Sequence, residues 1–155
     1  MRKAGLSFLL GGLVACSALA GSALAASDGP AVYGTNCAVC HQAGGVGMPG
    51  QFPVLKGRID KIAATPEGKA YLMDVVLNGL HGPIQVGGMS YAGFMPTFKG
   101  LSDDDLAAVL SYLTTLGTTP QTFSADDIKA ARAKPKKGSE LIAERNALNA
   151  AHPIP

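Results

Sequence analysis

The run Cys37-Ala38-Val39-Cys40-His41 sets two thiols three positions apart, with an imidazole directly after the second. Such a pair can form a local disulfide, half of a structural zinc site, a redox-active dithiol, or the covalent attachment point of a haem. Structural zinc takes four ligands, and the sequence has no second Cys pair to supply the others. A thioredoxin-like dithiol belongs in a βαβ setting, which the flanking residues do not provide. Haem attachment is therefore favoured. Cys37 and Cys40 would each add to one vinyl group, and His41 would become the proximal ligand of the iron. One covalent haem c per chain is the cofactor this predicts, since the motif occurs once.

An imidazole on one side leaves a sixth iron position, and its occupant decides between electron transfer and small-molecule chemistry. The side-chain candidates are Met48, Met73, Met89, Met95, His81 and His152. Met95 stands in Tyr91-Ala92-Gly93-Phe94-Met95-Pro96, inside a glycine-rich stretch and ahead of a strong helix, a placement that suits a distal ligand. Met89 is the rival. Met73 sits mid-helix and reads as packing, and Met48 is close to His41 in sequence. His81 reads as a loop histidine bonded to backbone or water. A thioether opposite an imidazole raises the potential and leaves no vacancy for oxygen or peroxide, so Met95 argues against an enzyme. The other class still open is a haem enzyme or gas sensor with an open sixth position.

These residues have to be exported, loaded and held. Met1-Arg2-Lys3, an apolar stretch from Ala4, and Ala23-Leu24-Ala25 form a secretory signal peptide over residues 1–25, with cleavage expected after Ala25. Leu13-Val14-Ala15-Cys16 also resembles a lipoprotein signal, which would make Cys16 a lipid-bearing N-terminus. Both routes place the folded part outside the cytoplasm, in the periplasm, and no other segment is apolar enough to span a bilayer. Loss of Arg2 and Lys3 leaves 11 bases against 11 acids, with no clustered basic footprint for nucleic acid.

From Asp28 the pattern is that of a small helical domain. A first helix is expected over about 29–39, carrying Val32 and Tyr33 inward, followed by a turn-rich loop over 44–50. Thr65-Pro66-Glu67 starts a second helix to about Asn78, with Leu72, Val75, Val76 and Leu80 as its apolar stripe. Residues 79–100 hold six glycines and two prolines and read as a long functional loop. Ser102-Asp103-Asp104-Asp105 caps a third helix whose Leu106, Val109, Leu110 and Leu113 face the core. Residues 118–155 change character, with six bases against four acids where residues 26–119 have five against seven. This C-terminal extension, helical or partly disordered, is either a wrap on the core or a basic docking arm.

Together these features resemble the class I monohaem cytochromes c over residues 28–117. Gly29, Tyr33 and Asn36-Cys37-Ala38-Val39-Cys40-His41 look like that family's N-terminal helix and haem motif; Phe94-Met95-Pro96 looks like its axial-methionine loop. Leu101 to Leu113, with Tyr112, looks like its C-terminal helix. Pro53-Val54-Leu55-Lys56-Gly57 is similar to the segment whose proline carbonyl holds the proximal histidine. The resemblance therefore gives Pro53 a supporting role behind His41. It implies an all-α cytochrome c fold over residues 26–117 with one covalent haem. Asn78-Gly79-Leu80-His81-Gly82-Pro83-Ile84 with Met95-Pro96 is further similar to cytochrome domains that accompany periplasmic dehydrogenases. The implied activity is single-electron transfer in a respiratory chain. Redox partners would be a dehydrogenase or quinol-oxidising complex as donor and an oxidase or reductase as acceptor, or the chain would serve as the haem subunit of a dehydrogenase.

Overall fold

The computed structural model describes residues 27–155. The signal peptide, its cleavage after Ala25 and the Cys16 signal lie outside the described residues. What is described is mostly helical, in the order α1 (Gly29–Asn36), α2 (Ala38–His41), α3 (Ile59–Ile62), α4 (Pro66–Asn78), α5 (Asp103–Thr115), α6 (Ala125–Arg132) and α7 (Gly138–Ala151). Four short strands, β1 (Leu80–His81), β2 (Ile84–Val86), β3 (Met89–Tyr91) and β4 (Phe94–Met95), lie between α4 and α5.

The Asp28 carboxylate accepts from the Ala31 backbone N–H and starts α1, with Pro30 in the first turn. The expected single helix over 29–39 is interrupted at Cys37, whose φ is −115°, so Cys37 sits at the junction of α1 and α2 and Cys40 lies within α2. α1 crosses α5 at close range. A Cβ on Gly29 would lie 2.5 Å from the Ala108 carbonyl oxygen, so only glycine lets the two backbones meet this closely. Tyr33 and Tyr112 stack in a tilted pair across the same crossing, with ring centroids 5.6 Å apart.

α4 and α5 begin where the capping residues say they should. Thr65 accepts from Gly68 N–H and Ser102 from Asp105 N–H. Leu72 and Val75 of α4 and Leu106, Val109, Leu110 and Leu113 of α5 are buried in one core with Tyr33, Ile59 and Ile62. Val76 and Leu80 pack at its margin.

The stretch expected as an irregular loop instead closes on itself. β2 and β3 form an antiparallel hairpin with Ile84 opposite Tyr91, and β1 pairs with β4 with Leu80 opposite Met95. Pairing satisfies backbone groups that a bare loop would leave to water. It also carries Met95 back against the end of α4.

Residues 118–155 wrap the core. α6 packs on α4 and α5, and α7 packs on α4 and β1. Ile128 of α6 and Leu141 of α7 are fully buried, which a free docking arm would not be. Polar ties accompany the burial. Arg132 pairs with Asp103 and donates to the carbonyls of Lys99 and Leu101. The Lys136 ammonium bridges Asp74 at 2.7 Å and Glu144 at 2.8 Å. Asp60, buried beneath the start of the extension, accepts from the backbone N–H groups of Thr118 and Thr119.

Candidate functional site

A cavity of 240 Å³, walled almost wholly by apolar side chains, opens at the protein surface. Cys37, Cys40 and His41 form one part of its wall, α4 and α5 supply Leu72, Val75, Val109 and Leu113, and Met95 lines it from β4. Val39 and Phe94 also border it and are the two most exposed large apolar residues described, at 77% and 68%. They mark its mouth.

The position of His41 is set locally. Immediately after it, Gln42 takes φ 60° and ψ 164°, the one positive φ among the described non-glycine residues. A side chain there costs on the order of 1–3 kcal/mol and persists only where surrounding bonds hold it. Here Tyr33 OH donates to the Gln42 carbonyl at 2.6 Å, and Gly47 N–H donates to the His41 carbonyl at 2.9 Å. The His41 ring is fixed from behind by a 2.8 Å bond between Nδ1 and the Pro53 carbonyl oxygen. Since a carbonyl can only accept, Nδ1 carries the proton and Nε2 keeps its lone pair. Burial pulls the His41 pKa below its ordinary value; the Pro53 bond opposes this, and the charge of Arg58 adds to it. The ring is thus a neutral imidazole, the form that binds metal.

Cys37 and Cys40 are half-buried free thiols. Burial, with Cys40 beside it, pushes the Cys37 thiol up to about 11, so it stays protonated at neutral pH. A redox-active or zinc-binding cysteine needs the opposite shift. Among the described residues no three His, Cys, Asp or Glu side chains converge on a point where they would hold a metal ion alone.

Of the other candidates, Met89 is 42% exposed on β3 and does not line the cavity. Met73 packs against the core, Met48 faces outward, and His152 is an exposed residue closing α7. His81 is exposed and stacks on Phe94, with ring centroids 4.7 Å apart. Only Met95 of this group shares the cavity with the thiols and His41.

Two wall residues escaped the sequence reading, Arg58 and Arg145. Each stands among mixed charges in the chain and reads as a surface residue, yet both are buried. Arg58 Nη2 has no hydrogen-bond partner. A porphyrin fits this donor set: apolar walls for its faces, a thiol pair for attachment, a neutral imidazole and a thioether for the iron, and one buried guanidinium nitrogen, Arg58 Nη2, free for an acidic substituent.

Comparison with known proteins agrees. The family model for cytochrome c matches residues 26–117. The chain is 42% identical to cytochrome c-552 of Thermus thermophilus over 144 residues, covering 88% of this chain and 95% of that protein. It is 35% identical over 107 residues to the cytochrome c subunit of a quinone alcohol dehydrogenase from Gluconobacter oxydans, covering 67% of this chain and 22% of the subunit. Cytochrome c6 of Leptolyngbya boryana is 36% identical over 89 residues, covering 57% of this chain and 88% of that protein. The chain belongs to the cytochrome c family, electron carriers that bind haem c covalently.

Proposed function

We propose that the chain is an exported single-haem carrier in which Cys37 and Cys40 hold the haem as thioethers, His41 is the proximal ligand and Met95 the distal one. The observation that carries this reading is the shared cavity: Met95 lines it together with the thiols and His41, whereas Met89 lies outside. Bound there, the haem supplies a one-electron ferric and ferrous couple.

The chain's own residues do the rest. Pro53 fixes the His41 tautomer and ring plane, so the imidazole does not reorient between redox states. The β1–β4 pairing holds Met95 against the end of α4, and the apolar walls keep water from the iron. A rigid, dry site is one in which little rearranges when charge arrives. Val39 and Phe94 at the mouth offer a small apolar contact for transient redox partners. Those partners are a periplasmic dehydrogenase or quinol-oxidising complex as donor and a terminal oxidase or reductase as acceptor.

The similarity to dehydrogenase subunits of two Gluconobacter species supports a second reading, a haem subunit of such a complex. Among the described residues no helix is long and apolar enough to cross a membrane. Attachment would then come from the partner or from lipid on Cys16.

Spectra of two variants test the ligand assignment. Met95→Ala should convert the ferric protein from low to high spin and open it to carbon monoxide in the ferrous state, with Met89→Ala silent. The reverse pattern would transfer the role to Met89, and silence of both would favour a gas-binding or enzymatic site.

A further inference from the structure

Tyr33 of α1 touches the C-x-x-C-H motif at both of its ends. Its backbone carbonyl accepts from Cys37 N–H at 2.9 Å, and its hydroxyl donates to the carbonyl of Gln42, the residue after His41, at 2.6 Å. The residue is 3% exposed, and its ring is held in the crossing of α1 and α5 by the tilted stack on Tyr112. A ring packed this closely is a fixed mount for its hydroxyl.

The bond falls where the backbone needs holding. Gln42 adopts φ 60° and ψ 164°, a region that residues with side chains avoid unless their surroundings impose it. Its carbonyl also accepts from Gly45 N–H at 3.1 Å, which closes the turn that follows the motif. Among the described residues, Tyr33 supplies the one side-chain hydrogen bond that reaches residues 42–47 from outside that turn.

The same turn seats the Pro53 carbonyl, which bonds His41 Nδ1 at 2.8 Å. The Gly45 carbonyl accepts from the N–H groups of Leu55 and Lys56 at 2.8 and 3.0 Å, and Gly47 N–H donates back to the His41 carbonyl at 2.9 Å. Gly47 lies directly on the Pro53 peptide, where a Cβ would be 2.7 Å from the carbonyl carbon. A turn that relaxed toward ordinary dihedral angles at Gln42 would carry this peptide with it and loosen its hold on the imidazole.

We propose that the Tyr33 hydroxyl is a positioning group for the His41 imidazole, acting through the strained Gln42 turn on the Pro53 carbonyl. This rests on the reading of His41 as the proximal ligand. A firm bond from Nδ1–H to a carbonyl fixes the ring plane and makes the imidazole a more basic ligand. Tyr33 thus bears on the potential although it does not line the cavity.

Tyr33→Phe keeps the ring in the core and removes only the hydroxyl. In NMR spectra of the ferrous holoprotein, the His41 Nδ1 proton should exchange with solvent about fivefold faster, the factor that corresponds to one lost hydrogen bond. The midpoint potential should rise, because a less basic imidazole favours the ferric state less. Tyr112→Phe, which removes the hydroxyl of the stacked partner, should leave both readings at their wild-type values. Gln42→Gly relieves the backbone that the hydroxyl holds, so Tyr33→Phe should have a smaller effect in that background. Exchange or potential unmoved by Tyr33→Phe, moved as far by Tyr112→Phe, or moved in full beside Gln42→Gly overturns the proposal. If Tyr33→Phe does not mature, the wild type decides: a Tyr33 hydroxyl proton slow to exchange supports the proposal, and one too fast to observe overturns it. Ligation by His41 is read first, from wild-type His41 ring protons displaced by the porphyrin; their absence would overturn that reading before any variant is made.

Discussion

Replacing Gly79 with alanine probes how the helical core holds Met95, the proposed distal ligand. Gly79 ends α4 at φ 78° and ψ 172°, a backbone region open essentially to glycine alone, where a side chain costs about 1–3 kcal/mol. An added Cβ would also lie 2.7 Å from the Met95 carbonyl oxygen, 3.1 Å from Thr97 N and 3.2 Å from Pro96 C. All three are backbone atoms, so no side chain can swing aside and β4 itself has to move. Overpacking of this kind costs about 1–3 kcal/mol more. The total of about 2–6 kcal/mol is large against a net stability of about 5–15 kcal/mol. Gly87→Ala is the control: its φ is 57° and its Cβ meets nothing within 4 Å, so only the left-handed penalty of about 1–2 kcal/mol remains. Thermal unfolding of the ferric holoprotein gives the stabilities, and the long-wavelength sulfur-to-iron band reports on the proposed ligation by Met95. Gly79→Ala should unfold at clearly lower temperature than Gly87→Ala, with the band weakened before the global transition. Equal stability of the two variants with an undiminished band would refute the argument.

Ile128 tests the wrapping of the C-terminal extension, since it is fully exposed in a free arm and fully buried here. Ile128→Ala should cost about 2–5 kcal/mol in denaturant unfolding, where a solvated position would change by less than about 0.5 kcal/mol. Lys136 gives the extension a pH signature. Burial pulls its ammonium down, but the hydrogen bonds and charges of Asp74 and Glu144 together outweigh that and leave its pKa raised. A raised folded value stabilises fully below the unfolded lysine pKa of about 10.4, and the contribution is lost as pH rises through the folded value. Lys136→Met should therefore be less stable than wild type at neutral pH, by about 1–3 kcal/mol for a buried Asp74 left unpaired. In unfolding curves the gap should narrow above about pH 10.4; a constant gap would count against the ion pair.

What the sequence exposes depends on how local the cause is. The caps at Thr65 and Ser102 and the apolar spacing of Leu106 to Leu113 act within one or two turns, and the helices start and face as those residues require. The C-x-x-C-H run was legible for the same reason, carrying its chemistry in a short stretch, and the structure places Met95 in the cavity that this run lines. The break at Cys37 was not, because the following turn depends on a bond from Tyr33 to Gln42, nine residues away. The strand pairs within 79–100 were hidden by their glycines and by their two- and three-residue length, too short to show alternation. The basic extension read ambiguously, since its charges are spread and its buried Ile128, Leu141 and Leu148 are separated by polar stretches. Arg58 and Arg145 could not be paired from sequence at all. Their shared cavity appears only once α7 has folded back over the core.

The account stands on a porphyrin bonded to the two thiols. Mass spectrometry of the mature chain, produced with a working haem-maturation system and then denatured and digested, tests this most directly. The haem mass should stay on the peptide containing Cys37 to His41 after denaturation and be lost in the Cys37→Ala/Cys40→Ala double variant. A wild-type peptide with two unmodified thiols would contradict it.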